Sequence, residues 1–203
     1  SIEFWLWNGL PADSRAVTGY VFSRGRDGDP DASGEHLGIG GTQQPHLAGR
    51  LFLFNGNKQN QILGGRNTLA FQAWHHVVFV REGDQVRVHL DGRTQPEIDG
   101  VFSHTIPEGE DALFLGGRND NLFNFEGKLD EIAIYDRSLS PDEIEAHYKA
   151  SALAPPSKIT ATGPVAHPMT PEASIKKIHI RDGHEIKLVA REPLTLDPVA
   201  TDW

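Results

Sequence analysis

From Ser1 to Asp136 the apolar residues recur mostly at every second position, with turn-forming residues between short runs. Ile2, Phe4 and Leu6 alternate with Glu3, Trp5 and Trp7. Successive strand side chains point to opposite faces, so this period predicts β-strands with one face on a core. Trp5 and Trp7 make the other face apolar too, and a strand apolar on both faces is expected between its sheet and a neighbour. Trp74, at a strand start, is read as a packing residue in the same way. Arg50-Leu51-Phe52-Leu53-Phe54 runs into Asn55-Gly56, a strong hairpin signal because both turn residues tolerate positive φ. Residues 75–81 form another strand pattern and end at Glu82-Gly83-Asp84. Residues 85–90 follow and are closed by Asp91-Gly92; residues 112–117 and 128–135 complete the clear strands. Many short strands separated by Gly, Asn and Asp predict an all-β sandwich or barrel.

The period changes once. Ser140 is a good helix N-cap, Pro141 suits the first helical position, and Glu143 completes a capping box. Asp142 and Glu143 also favour the positive end of the helix dipole. Leu139, Ile144 and Tyr148 supply an apolar stripe, so a helix of about two to three turns should close the sandwich.

Beyond it the chain turns proline-rich. Ala154-Pro155-Pro156-Ser157, Thr162-Gly163-Pro164, His167-Pro168 and Thr170-Pro171 make residues 151–171 an extended linker. Residues 172–203 read as the start of a following domain: Ile175, Ile178 and Ile180, then Arg181-Asp182-Gly183 and a strand-like stretch at 185–190. That piece is too short to bury a core alone. One echo, Leu63-Gly64-Gly65-Arg66-Asn67 and Leu115-Gly116-Gly117-Arg118-Asn119, reads as two strand ends turning through glycine, since stacked repeats need at least three units.

The 203 residues, 38% of them apolar, suffice for one ordinary domain with length left over. A formal net charge of −9 and the lack of any Lys/Arg block argue against a nucleic-acid partner. An acidic surface suits calcium, a neutral sugar or another protein. No cysteine is present, so disulfides and thiolate metal sites are excluded within this stretch. No apolar run approaches the roughly 18 residues of a membrane span, and no signal peptide is visible. A strand pattern from the first residues and an abrupt finish at Asp202-Trp203 read as a fragment of a longer protein.

Several motifs occur in an order that points to a family. Ala73-Trp74-His75-His76-Val77-Val78-Phe79-Val80-Arg81-Glu82-Gly83, then Val86-Arg87-Val88-His89-Leu90-Asp91-Gly92, resembles the Trp-His-His hairpin of laminin-G-like jelly-roll domains. Leu115-Gly116-Gly117-Arg118, then residues 125–140, resembles that family's closing strand and helix entrance. The resemblance covers residues 1–150 and implies a concanavalin A-like jelly-roll β-sandwich with one short C-terminal helix, followed by an extended linker tail. Such domains usually begin some tens of residues earlier, so the first strands are expected to be missing. The tail, at Thr170-Pro171-Glu172-Ala173-Ser174-Ile175, residues 185–194 and Asp197-Pro198-Val199-Ala200, resembles the lead-in of large secreted β-propeller proteins of planctomycete-type bacteria, described as sugar or membrane-bound dehydrogenases. Together the resemblances imply a secreted, periplasmic or cell-surface bacterial protein whose catalytic parts lie outside this chain.

The candidate chemistry is sparse. A glycoside hydrolase needs two carboxyl groups about 5–5.5 Å apart for retention or about 6.5–9.5 Å for inversion. Glu126, Asp130 and Glu131 do not fit the alternate spacing that puts carboxylates on one strand face, and Asp130 and Glu131 should face opposite ways. Asp142, Glu143 and Glu145 are explained by the helix start. His75 and His76 cannot share a metal from one strand; one is expected inward and hydrogen-bonded, the other solvated. Calcium is the candidate cofactor, a hard ion seeking oxygen ligands at a loop rim. Its candidate ligands are Asn119, Asp120 and Asp130, with Asp27-Gly28-Asp29-Pro30-Asp31 as a further oxygen-rich loop. For sugar the expected signature is an aromatic platform beside polar groups. Phe123 and Phe125 with Asn121 and Asn124 are the candidate ligand-binding residues, on a loop of the kind that carries function.

The sequence therefore predicts a non-catalytic binding module with a glycan as leading partner. The alternative is a structural domain docking a neighbouring propeller or a subunit of an oxidoreductase; a glycoside hydrolase is the third reading.

Overall fold

The computed structural model describes residues 1–29, 31, 33–103 and 112–151. All but the first residue of the 151–171 linker lies outside them, as does the 172–203 segment. The described elements are β1 (Ile2–Asn8), β2 (Val17–Gly25), β3 (Glu35–Gly40), a 3₁₀ turn (Pro45–Leu47), β4 (Arg50–Phe54) and β5 (Ile62–Thr68). They continue with β6 (Trp74–Glu82), β7 (Gln85–Leu90), β8 (Ile98–Val101), β9 (Ala112–Leu115), β10 (Gly127–Ile134) and α1 (Pro141–Ala150). One sheet has the order β10-β1-β6-β7-β8, the other β5-β4-β3-β2-β9. Every strand pairing in both is antiparallel. The fold is an all-β sandwich with one short helix, as the strand pattern and the capping box predict, and it has the jelly-roll form that the family resemblance implies.

The core lies between the sheets. Phe4, Leu6, Val77 and Phe79 from the first sheet meet Val21, Phe22, Leu37 and Leu53 from the second, all buried. Phe22 packs edge-on to Phe4 and Phe79 at 6.5 and 5.3 Å between ring centroids. A register shift between Tyr20 and Phe22 lets the consecutive Val21 and Phe22 both point inward while Tyr20 points out.

The outer face of the first sheet is covered by α1. Ile144 and Leu139 pack on Val78 and Val80, and Trp5 stacks on Tyr148 with ring centroids 5.8 Å apart. The helix begins as its residues predict. Ser140 accepts a hydrogen bond from the Glu143 N–H, and the Glu143 carboxylate accepts from the Ser140 N–H at 2.9 Å. Trp5 is buried; Trp7 is half-buried beneath the Lys128 ammonium, 4.9 Å from its ring centroid.

Two expectations change. His75 and His76 do face opposite ways, but both are buried, because β6 is covered on both sides. His75 Nδ1 lies 3.0 Å from Asp91 Oδ2, and His76 Nε2 lies 2.7 Å from Glu3 Oε1. Of the two glycine echoes, only the second is a strand end, where Gly116 takes φ +75° after β9. The first runs inside β5.

Candidate ligand-binding cleft

β4 alternates perfectly yet is apolar on both faces. Leu51 and Leu53 go to the core, whereas Phe52 and Phe54 stand on the outer face of the second sheet with Tyr20 from β2. On β3 between them, Gly38 leaves the space the Phe52 ring needs; a Cβ there would sit 2.8 Å from it. Tyr20 and Phe52 meet edge-to-face at 5.6 Å. These rings form the floor of a cleft of about 290 Å³, near the lower end of small-ligand sites.

Three loops wall it. The segment after β3 contributes Gln43 and Gln44 and is pressed against Gly40, where a Cβ would collide with the Leu47 carbonyl. The β4–β5 hairpin contributes Asn57 and Asn60, the latter at φ +54°. The loop between β9 and β10 contributes Arg118, Leu122 and Phe123. A shallower hollow of about 400 Å³ shares Gln44, Leu47 and Ile62 with the cleft and continues past Arg50, His46 and the bare backbone of Gly64 and Gly65.

Arg118 is held from two sides. Its guanidinium lies 5.2 Å from the Tyr20 ring centroid and 5.7 Å from that of Phe54, both within cation–π range. Asp120 grips it in a fork, with Nε donating to Oδ1 at 2.7 Å and Nη2 donating to Oδ2. The two side chains are 6% and 7% exposed. Burial by itself pushes the Asp120 carboxyl up, but the hydrogen bonds and charge of Arg118 outweigh it and hold the group below its ordinary value. Burial likewise works against the Arg118 charge, and Asp120 more than restores it. The Tyr20 phenol is pushed up, chiefly by burial.

The expected site residues divide. Phe123 lines the cleft, at φ +50°, an unusual conformation for a bulky side chain. Its carbonyl accepts from the Tyr20 N–H at 2.9 Å, which pins the loop to β2. Phe125 turns the other way and packs against the main core, close to Gly19 and Gly127. Asn121 and Asn124 do not line the cleft; Asn124 Nδ2 donates to Asn121 Oδ1 at 2.7 Å and staples the loop to itself.

The expected calcium ligands do not converge. Asp120 is spent on Arg118. Asp130 is exposed on β10 of the opposite sheet, where its Oδ1 accepts from the Glu131 N–H at 2.9 Å. Asn119 does meet the other oxygen-rich loop: its Nδ2 donates to the carbonyls of Arg26 and Asp29 at 2.6 and 2.8 Å, and its carbonyl accepts from the Gly28 N–H. Among the described residues its buried Oδ1 has no hydrogen-bond partner. Among the described residues, no three His, Asp or Glu side chains are grouped to hold a metal ion.

Tyr20, Phe52, Phe54, Asn57, Asn60 and Arg118 were not among the sequence candidates. The doubly apolar β4 pattern carried a signal for two of them. Tyr20 needed the register shift, and Arg118 needed the fold.

Fold and cleft together define a jelly-roll β-sandwich with a ligand-sized hollow on an outer sheet face. Residues 1–145 match the family model of the concanavalin A-like lectin/glucanases superfamily, and the chain belongs to that family. Among solved structures it is similar to domain 4 of AbnA, a GH43 extracellular arabinanase from Geobacillus stearothermophilus, in complex with arabinotriose. Identity there is 20%, TM-score 0.51, and the match covers 71% of this chain and 64% of that one. It is also similar to a native heptameric SAP-like pentraxin from Limulus polyphemus, at 17% identity and TM-score 0.49 over 71% and 66% of the two chains. A third is the Ruminococcus gnavus IT-sialidase CBM40 bound to alpha2,3 sialyllactose, at 16% identity and TM-score 0.47 over 72% and 80%. The chain thus spans just under two thirds of the first two, and at these identities the likeness is one of fold. Among the described residues, no helix is long and apolar enough to cross a membrane.

Proposed function

We propose that this chain is a non-catalytic carbohydrate-binding module of a larger secreted bacterial protein, and that the cleft over Tyr20, Phe52, Phe54 and Phe123 is its glycan site. The observation that carries the reading is the composition of the cleft. Aromatic rings form its floor, and four side-chain amides, from Gln43, Gln44, Asn57 and Asn60, stand on its walls. A sugar ring offers apolar C–H faces and a rim of hydroxyls, and each amide can both donate to and accept from such hydroxyls. Among the described residues lining the cleft none is Asp or Glu, so no carboxyl pair for glycoside hydrolysis faces a bound sugar there. The arabinanase domain that shares the fold was solved with arabinotriose, which supports oligosaccharide as the ligand class.

A glycan array probed with the purified chain tests this, run once with calcium and once with chelator. Specific binding that weakens on substituting Phe123 supports the reading; no binding in either buffer removes it. The chelator arm also reads whether the loop pair around Asn119 takes a cation that matters to the site.

A further inference from the structure

Among the described residues lining the cleft, Arg118 is the sole one with a permanent charge. An arginine in a sugar site ordinarily suggests an acidic sugar, because a guanidinium fork matches a carboxylate. Here that fork is occupied. Asp120 takes the Nε and Nη2 edge, and it does so from behind, since it does not line the cleft itself. What remains toward Tyr20 is Nη1, 3.5 Å from its hydroxyl oxygen. The positive charge is therefore neutralised at contact distance by a partner the ligand does not meet. An incoming carboxylate would be stripped of water on entering, would find no free fork, and would feel the field of a closed ion pair. The amides on the walls carry no charge to compensate it.

We infer that the cleft selects a neutral sugar residue against its acidic counterpart, and that Asp120 sets this selectivity by occupying the fork of Arg118. The inference rests on the glycan-binding reading above and narrows it to a substrate class. In this role Arg118 is an aromatic-sandwiched hydrogen-bond donor to a hydroxyl or ring oxygen, and Asp120 is a positioning residue that never touches the sugar.

The test uses matched pairs differing only at one carbon, such as methyl galactoside against methyl galacturonide and methyl glucoside against methyl glucuronide, with binding measured by calorimetry or saturation-transfer NMR. The neutral member should bind at least about tenfold tighter to the unmodified chain. Asp120→Asn, which keeps the shape but frees the guanidinium charge, should narrow or reverse that ratio. The gain for the acidic member should shrink as salt is raised, as expected of an exposed charge contact. If Asp120→Asn does not fold, the panel on the unmodified chain still decides. Acidic members binding it as tightly as neutral ones would overturn the selectivity while leaving glycan binding intact. Neutral preference unchanged in a folded Asp120→Asn would overturn the role of Asp120. No binding of any sugar would remove the glycan reading and this inference with it.

Discussion

Glu3 offers the sharpest test of how the helix is fastened to the sandwich. It sits on β1, its side chain only 9% exposed, facing α1 rather than the core. Its carboxylate accepts from the Tyr135 hydroxyl at 2.8 Å and meets His76 Nε2 at 2.7 Å and His147 Nδ1 at 3.0 Å. One carboxylate thus ties together β1, β6, α1 and the segment after β10. Burial pushes its pKa up, but the bonds from His76, Tyr135 and His147 overcome this and bring it from 4.5 down to about 2. A carboxyl whose pKa falls on folding stabilises the fold above its unfolded value, and that contribution fades as pH drops toward the folded value. From 4.5 to about 2, the contribution is about 3 kcal/mol at pH 7 and roughly half of that at pH 3. Glu3→Gln keeps the shape and removes the charge. Urea unfolding of both proteins at several pH values should show a gap of about 3 kcal/mol at pH 7 that closes by roughly half at pH 3. Other carboxylates titrate in the same window, but they are common to both proteins and cancel in the difference. Two parallel stability curves, with a gap that does not change between pH 7 and pH 3, would refute the reasoning.

Phe123→Ala should weaken glycan binding by about tenfold, or about 1.4 kcal/mol, with only a modest loss of stability because the ring is partly buried against the outer-face cluster and lies outside the main core; an unchanged affinity in a glycan-binding assay would move the site elsewhere. Ile144→Ala empties a fully buried position between α1 and the sheet and should cost about 3 kcal/mol in a denaturant melt, leaving the affinity of the distant cleft unchanged. Ser140→Ala removes the N-cap of the same helix and should cost about 1 kcal/mol, read as a downward shift in Tm.

The sequence by itself determined the elements whose pattern is local. The strands at 50–54, 75–81 and 85–90 and the capped helix at Ser140 lie where the two-residue period and the capping box put them, because side-chain alternation and cap hydrogen bonds involve neighbours only. It also picked out Phe123, on a loop that lines the cleft. β2 and β3 were not visible: Gly19, Gly38 and Gly40 and the polar residues among them break the apolar run. Those glycines make sense only once the rings and loops packed against them are known. Which way neighbouring loop residues turn was also a tertiary matter. Phe123 and Phe125 look alike in the chain, yet the hydrogen bond from Tyr20 sends one to the cleft and the other to the core. Arg118 and Asp120 gave no sign of their pairing, and His75 and His76 none that both would be buried. A charged or polar group's role depends on which partners long-range packing brings within hydrogen-bond reach. That packing joins Glu3 to His147 across 144 positions and Tyr20 to Arg118 across 98, separations over which no local pattern carries information.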